Sequence, residues 1–192
     1  RHLADKYGML LYNWDEHFPE YQAIATPADQ PAMSRRNTFA SWEEYFMRPP
    51  HEYAAWLEQT FQEQTGMAVA DLIRLSGSAG DRKIIVDGFF TVELLKKISS
   101  FDRVFVLMAS EEVVRHDYFR REDKRDMLEC IRGLRDPEAA IETVFRTMFY
   151  NFAEFEKSVA ESGFRYYKRE SLGTDPMEVV AMAERHFGLD AG

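Results

Sequence analysis

The sequence predicts an α/β fold: a three-layer α/β/α domain in which helices cover both faces of a parallel sheet. Two observations predict it. Four short apolar runs, rich in β-branched and aromatic residues, alternate along the chain with segments whose apolar residues recur at helical spacing. This alternation is typical of parallel sheets with crossover helices. A length of 192 residues and a hydrophobic fraction of 45% suit a single domain over residues 1–192.

The elements follow in chain order. The first eight residues resemble the end of a helix that is closed by Gly8. Residues 22–40 carry little periodicity and predict a long loop. The last helix is expected to begin at Pro176, with Thr174 or Asp175 as its N-cap. The predicted strands are 9–14, 83–87, 103–108 and 164–169, and the predicted helices are 42–64, 68–75, 91–98, 111–134, 137–161 and 176–187.

Composition excludes several classes of function. The chain has 24 Lys and Arg against 33 Asp and Glu, a net charge of −9, and no basic run, so nucleic acid is not an expected partner. No apolar stretch approaches the roughly 20 residues that cross a membrane, so a membrane is not expected as a partner either. The single cysteine, Cys130, has no second cysteine to pair with, which favours the cytoplasm.

Three segments carry a resemblance that spans nearly the whole chain: LADKYG–MLLYNWDEH, IIVDGFF and FDRVFVLMASEEVVRHDYFRR. Their order resembles that of the P-loop small-molecule and nucleotide kinases, the group that contains adenylate kinase and shikimate kinase. The Asp-Gly-Phe of this chain resembles the end of that family's Walker B strand. The arginine-rich end of the third segment resembles the start of that family's lid. The resemblance implies an ATP-dependent phosphotransferase with Mg²⁺, acting on a nucleotide, a nucleoside, a metabolite or an antibiotic hydroxyl.

One motif of that family does not occur in the sequence. There is no G-x-x-x-x-G-K-[ST], and the stretch GSAG at 77–80 precedes a predicted strand and lacks the Lys-Ser/Thr. The family's first strand lies at the centre of its sheet, between the strand that ends at Asp87 and the strand 103–108. A parallel sheet without its middle strand would leave backbone donors and acceptors unpaired. We therefore expect an apolar strand and a phosphate loop, about 15–25 residues, upstream of Arg1.

Two carboxylates stand at predicted strand ends, where ligands bind in open α/β sheets. Asp87 is the expected Mg²⁺-organising carboxylate, directly or through water, and the alternative is a carboxylate that only completes the turn at Gly88. The resemblance implies that Asp15 binds the acceptor or orients its hydroxyl as a general base, with Glu16 as second choice. His17 has no orienting partner visible in the sequence and is expected to be a solvated loop residue.

Arginine is concentrated in one part of the chain. Seven of the 17 arginines lie within residues 115–146, where eight acids accompany them. They could simply form ion pairs on a solvated helix. The resemblance implies instead that this segment is a lid and that two or three of its arginines bind ATP phosphates, for which the planar guanidinium is suited. The expected catalytic arginines are Arg120, Arg121 and Arg125, the expected ATP-binding ones are Arg121, Arg135 and Arg146, and Arg115 is expected to be structural.

Residues 22–65 occupy the position of that family's substrate-binding segment. Arg35 and Arg36 are expected to meet an anionic acceptor. Trp42 and Tyr45 are expected to enclose an aromatic or apolar one, and the alternative for both is a place in the core. Other aromatic residues at helical spacing are expected to be core. These are Trp56, Phe61 and the stripe Phe145, Phe149, Phe152 and Phe155.

Two other interpretations stay open. A nucleotide-binding or regulatory module of the same fold, without transfer activity, is favoured if an upstream segment lacks the phosphate-loop lysine. An α/β hydrolase or another doubly wound enzyme agrees less well with the sequence, because no G-x-S-x-G occurs in it. A small-molecule kinase is therefore the leading hypothesis from the sequence.

Overall fold

A computed structural model describes residues 1–35 and 38–190. Within these residues the chain is a mixed α/β protein, and none of its helices is long and apolar enough to span a membrane. The chain divides into two compact units. The first unit consists of Arg1–Thr38 and Ala55–Thr91, and the second unit of Phe39–Ala54 and Val92–Gly192.

The described residues contain four strands, which confirm the predicted ones: each observed strand begins and ends within two residues of its predicted bounds. Short 3₁₀ turns lie at Phe101–Arg103, Tyr118–Arg120 and Glu122–Lys124. The helices and strands are, in order, α1 (His2–Tyr7), β1 (Leu10–Asn13), α2 (Trp14–Ile24), α3 (Pro31–Arg35), α4 (Trp42–Phe46), α5 (Pro50–Ser78), β2 (Ile84–Asp87), α6 (Val92–Ile98), β3 (Phe105–Ala109), α7 (Glu111–Asp117), α8 (Arg125–Arg132), α9 (Pro137–Met148), α10 (Phe152–Ser162), β4 (Arg165–Arg169) and α11 (Pro176–His186).

The first unit contains one parallel strand pair. β1 pairs with β2 in register from Leu10↔Ile84 to Asn13↔Asp87. Gly8 ends α1 with a φ of 63°, the left-handed conformation that its place after a helix predicts. One buried core cluster of this unit consists of Tyr12, Trp14, Tyr21, Met33 and Ala68.

The second unit contains the other parallel pair, β3 with β4, in register from Phe105↔Arg165 to Ala109↔Arg169. Helix α11 begins as predicted, because the Asp175 carboxylate accepts a hydrogen bond from the N–H of Met177. One core cluster of this unit consists of Val92, Val104, Met108, Val159 and Phe164, and Phe152 and Phe155 pack against it as predicted.

Three predicted helices are interrupted. In place of a helix over 42–64, α4 ends at Phe46 and α5 begins at Pro50, and α5 then runs through the predicted helix 68–75. Proline disfavours helical backbone in the residue before it and suits the first position of a helix, so the two prolines at 49–50 separate α4 from α5. The predicted helix 111–134 changes to 3₁₀ turns after Asp117, and the predicted helix 137–161 is broken after Met148.

The carboxyl end of β1 also differs from the prediction. Trp14 is the first residue of α2 and not the end of a strand, because Asn13 Oδ1 accepts a hydrogen bond from the N–H of Asp15 and caps the helix. Asp15 and Glu16 therefore lie in the first turn of a helix instead of in a loop. The loop predicted over residues 22–40 contains α3.

The four strands form two sheets of two strands each instead of one sheet. Among the described residues β2 and β3 each pair along one edge only, although their sequences are nearly all apolar, as those of central parallel strands are. Val86 of β2 is 40% exposed and Leu107 of β3 is 61% exposed. Each of the two units thus contains one two-stranded parallel sheet.

Candidate functional site

The carboxyl edge of the β1–β2 pair brings two predicted site residues to the same end of the first unit. Asn13 ends β1, Asp87 ends β2, and the two are register partners. Asp15 follows two residues after Asn13. Asp15 and Asp87 are exposed, and neither carboxylate has a hydrogen bond or an ion pair with another described residue. This edge therefore presents two open carboxylates.

Glu16, the third predicted acid of this edge, is already engaged. Its Oε1 accepts hydrogen bonds from Asn13 Nδ2 at 3.0 Å and from Arg1 Nη2 at 2.7 Å. Asn13 thus fixes the first turn of α2 twice, through its cap on the Asp15 N–H and through Glu16. Glu16 has a structural part here, and its part in acceptor binding stays a prediction.

The turn that follows Asp87 is packed against the start of α2. A Cβ atom at Gly88 would lie 2.7 Å from the Cβ of Trp14, closer than carbon atoms approach without strain. Trp14 is itself fixed, because Gln64 Nε2 donates to its carbonyl oxygen at 3.0 Å and the ring of Phe90 packs edge-on at 4.9 Å. Glycine is required at this position, and the contact holds the two strand ends that carry the open carboxylates together.

His17 is a residue of this edge that the sequence prediction missed. It lies on α2 with Nδ1 3.1 Å from Glu20 Oε2, and its ring stacks on Tyr12 with 4.6 Å between centroids and 18° between planes. Its side chain is 34% exposed. A neutral imidazole that donates from Nδ1 to a carboxylate keeps Nε2 as an acceptor. The sequence feature that could have indicated an oriented ring was Glu20, three residues after His17. The stacking on Tyr12 of β1 could not be predicted from helix spacing.

Next to His17, three side chains form a hydrogen-bonded chain. The Tyr21 hydroxyl donates to Asp71 Oδ2 at 2.6 Å, and the Tyr12 hydroxyl, 2.6 Å from that of Tyr21, therefore donates to Tyr21. Burial raises the pKa of both tyrosines, so both hydroxyls stay protonated. The hydrogen bond from Tyr21, assisted by Arg74, holds the pKa of Asp71 below its usual value. The chain links β1, α2 and α5 and fixes the surface on which His17 stacks.

The donor set of this edge fits one mode of Mg²⁺ binding. Within residues 1–35 and 38–190, no three acid, histidine or cysteine side chains converge as a ligand cluster. Mg²⁺ commonly keeps several water ligands and is bound through one or two carboxylates together with substrate phosphates. The open carboxylate of Asp87 at a strand end fits that mode, in which the protein supplies few ligands.

The three arginines predicted to be catalytic lie in the second unit and differ in their pairing. Arg121 donates to Asp123 from Nε at 2.9 Å and from Nη2 at 2.7 Å, and Arg125 Nη2 lies 3.8 Å from Glu122. Arg120 is exposed, and no hydrogen bond or ion pair joins it to another residue in the described part of the chain. Arg121 and Arg125 would have to leave their carboxylate partners to bind a phosphate, whereas Arg120 would not.

The other arginines of residues 115–146 include one clear structural residue. Arg115 donates to Glu111 at 2.7 Å and to both carboxylate oxygens of Glu142 at 2.7 and 3.1 Å, as its predicted structural role requires. These bonds hold the pKa of Glu142 below its usual value. Arg135 and Arg146 are exposed, and their predicted contact with ATP stays a prediction.

The residues predicted to bind the acceptor are divided between the units. Arg35 ends α3 in the first unit and is exposed, and Arg36 lies outside the described residues. Trp42 and Tyr45 lie on α4 in the second unit, where Trp42 is 51% exposed and Tyr45 is buried. Trp56 is buried in the first unit, as its predicted core position requires.

Tyr45 belongs to an aromatic cluster around an arginine. Its ring packs edge-on against Phe46 at 4.7 Å and Tyr53 at 5.7 Å. The guanidinium of Arg48 lies 4.2 Å from the ring of Phe39 and 4.9 Å from that of Tyr53, and its Nε donates to the Tyr45 carbonyl at 3.1 Å. Burial raises the pKa of Tyr53. This cluster gives Tyr45 a packing role, whereas the exposed tryptophan of α4 is available for a ligand.

A second group of charged residues lies at the carboxyl edge of the β3–β4 pair. His116 Nδ1 is 2.6 Å from Asp117 Oδ1, and Arg169, the last residue of β4, binds the other oxygen of Asp117. These two partners, His116 first, hold the pKa of Asp117 below its usual value. The N–H of Ser110 donates to the Arg169 carbonyl at 2.9 Å. The group anchors the start of the arginine-rich segment to the end of β4.

Comparison of the chain with protein-family models, with curated proteins and with solved structures gave no match. The assignment of a function therefore depends on the geometry of this chain alone.

Proposed function

We propose that this chain acts as the body of an ATP-dependent phosphotransferase for a small molecule, with the three-layer α/β/α architecture of the P-loop kinases. One observation carries the proposal: the register partners Asn13 and Asp87 bring the open carboxylates of Asp15 and Asp87 to one carboxyl edge of a parallel pair. Ligands of open α/β folds bind at that edge.

The unpaired strand edges support the proposed architecture. β2 and β3 have apolar sequences, with Val86 and Leu107 exposed, and each has one edge without a strand partner among the described residues. An unpaired strand edge presents a row of N–H and C=O groups with which a further strand can pair. A strand parallel to β2 would bring its own carboxyl end, where the resemblance places a phosphate loop, beside Asp87.

In the proposed reaction each group has a distinct part. Asp87 would hold Mg²⁺, which would neutralise the charge on the phosphates, and Asp15 would bind the acceptor. The resemblance assigns Arg120, Arg121 and Arg125 of the second unit to the phosphates, and this assignment stays a prediction.

The proposal is tested by measuring ADP release from Mg·ATP over a panel of small-molecule acceptors, with protein expressed from the complete gene. The variant Asp87→Asn is expected to weaken binding of Mn²⁺, followed by electron paramagnetic resonance in the presence of nucleotide, by roughly 10- to 100-fold. The matched control is Asp81→Asn, an exposed acid just before β2 that has no described partner. Absence of both ADP release and Mg²⁺-dependent nucleotide binding would refute the proposal.

A nucleotide-binding module without transfer activity is the second candidate. The observation that favours it is the pairing of Arg121 and Arg125 with acids of their own segment, which leaves fewer cations for a transferring phosphoryl group. This candidate predicts saturable binding of Mg·ATP, measured by calorimetry, without ADP release for any acceptor.

A further inference from the structure

The carboxyl edge of the first unit is strongly anionic. Asp15 and Asp87 present open carboxylates there, and Glu16 and Glu20 add two more on the first turns of α2. The guanidinium that contacts these acids within the described part of the chain is that of Arg1, which is bound to Glu16. An acceptor that carries a phosphate would bring about two further negative charges to this edge, and like charges placed side by side repel. A neutral acceptor meets no such cost.

A hydroxyl acceptor differs from a phosphate acceptor in that it must lose a proton. A group suited to take the proton is a histidine whose ring is oriented by a second residue and whose remaining nitrogen is free. His17 has this arrangement: Glu20 binds Nδ1 at 3.1 Å, and the stack on Tyr12 holds the plane of the ring. No described residue forms a hydrogen bond with its Nε2.

The position of His17 suits the role of a general base for the acceptor hydroxyl. It lies four residues after Asn13, in the first turns of the helix that starts at the end of β1, and its side chain is partly exposed. It therefore stands at the same end of the first unit as the open carboxylates of Asp15 and Asp87. Tyr12 is locked in turn by its hydrogen bond to Tyr21, so the support of the ring is rigid.

We infer that the acceptor group of this protein is a hydroxyl and not a phosphate, and that His17 Nε2 accepts its proton; this inference rests on the proposed function. The acceptor oxygen attacks the γ-phosphorus of the nucleoside triphosphate. Its O–H bond breaks and the proton passes to Nε2, while the bond between the γ-phosphorus and the β–γ bridging oxygen breaks and its electron pair leaves with the nucleoside diphosphate. The imidazolium formed beside Glu20 then releases the proton to water.

This division of roles separates His17 from Asp15. Asp15 has an exposed carboxylate without an orienting partner among the described residues, which suits binding of the acceptor's other polar groups. Loss of Asp15 is thus expected to raise KM for the acceptor, whereas loss of His17 is expected to lower kcat.

The experiment compares wild type, His17→Asn, His17→Ala and Glu20→Gln in an ADP-release assay with neutral alcohols and nucleoside monophosphates as acceptors. His17→Asn keeps an N–H in the position of Nδ1 and so retains the contact with Glu20, but it offers no base. We expect kcat to fall about 10²- to 10⁴-fold, the usual loss of a general base, with KM little changed. Imidazole in the buffer is expected to restore activity to His17→Ala, and Glu20→Gln is expected to lose less than His17→Asn. The control is His2→Gln, an exposed histidine on α1.

The outcomes separate this inference from the proposed function. Phosphoryl transfer preferentially to monophosphates, or transfer to alcohols with kcat unchanged in His17→Asn, overturns the inference and leaves the phosphotransferase standing. No transfer to any acceptor overturns both. The nitrogen chemical shifts of the His17 ring, measured by NMR, provide a readout without activity: a proton on Nε2 instead of Nδ1 in the neutral ring refutes the arrangement with Glu20.

Discussion

The substitution Gly88→Ala tests whether the contact between the turn after Asp87 and the start of α2 is as tight as the structure shows. The new methyl carbon would lie 2.7 Å from Trp14 Cβ, 3.2 Å from Trp14 Cγ and 3.3 Å from Phe90 Cε2. Ordinary contacts between carbon atoms are about 3.5–4.0 Å, so the two segments must separate by roughly 1 Å. The φ of Gly88 is not in the left-handed region, so the cost is steric and not conformational.

The expected loss follows from how little Trp14 can move. Its Cβ lies next to the backbone, its carbonyl is bound by Gln64, and its side chain is 2% exposed in the core. Overpacking of this kind costs about 1–3 kcal/mol. For a chain of this size a loss of about 2 kcal/mol lowers Tm by roughly 4–8 °C. Because Asp87 immediately precedes the displaced glycine, weaker binding of Mn²⁺ in the presence of nucleotide is expected as well.

The assay is urea unfolding followed by circular dichroism, with Gly66→Ala as the matched control. Gly66 lies inside α5, and a Cβ atom there would meet nothing within 4 Å. That substitution is expected to stabilise the protein by about 0.5–1 kcal/mol, since alanine favours a helix interior. A Gly88→Ala protein whose free energy of unfolding stays within about 0.5 kcal/mol of wild type would show that the packing argument is wrong.

Two further predictions concern stability. Asp71→Asn is expected to lower the free energy of unfolding by about 1–3 kcal/mol at pH 7, because the buried Tyr21 hydroxyl then loses a charged acceptor. Since the folded-state pKa of Asp71 lies below its usual value, the carboxylate stabilises the fold above about pH 4, and this contribution is lost as the pH falls further. The free energies of unfolding of wild type and Asp71→Asn, measured in urea, should therefore converge as the pH is lowered. A difference that stays constant with pH would contradict the pKa argument. Asp136→Ala removes the acceptor for the N–H of Ala139 at the start of α9 and is expected to lower the free energy of unfolding by about 1 kcal/mol in the same assay. Asp136→Asn keeps a comparable cap and should cost little. Equal stability of wild type and both variants would rule out the cap.

The strand positions were predictable because each depends on local composition. The runs that became β1, β2 and β3 have few polar side chains to hold them in water, so burial in a strand is favoured wherever they pair. β4 carries Arg165, Lys168 and Arg169, and its signal was the aromatic pair Tyr166 and Tyr167. The helix breaks were not predicted, although the seven consecutive charged residues at 120–126 interrupt the apolar periodicity soon after Asp117. Proline explains the start of α5 at Pro50, whereas nothing in the structure explains the break after Met148.

The candidate site was predictable only in part. Asp87 and Asp15 were recognised from their places after apolar runs, and the register of β1 and β2 brings them to one edge. The sequence analysis expected His17 to be a solvated loop residue because the support of its ring comes from Tyr12, a residue of another element, as well as from Glu20. The roles of the arginines depended on which acids lie nearby in space: Arg115 binds Glu142, 27 residues away along the chain.

By itself, the sequence determined where the strands lie, that Gly8 ends a helix and that another begins at Pro176 with Thr174 or Asp175 as its cap, because these features depend on residues a few positions apart. Tertiary structure alone decided that the four strands pair as two sheets and that Gly88 must be a glycine, because Trp14 meets it from 74 positions away. The physical reason is the same in each case: backbone propensity acts over one or two turns, whereas pairing and packing depend on which distant segments come into contact.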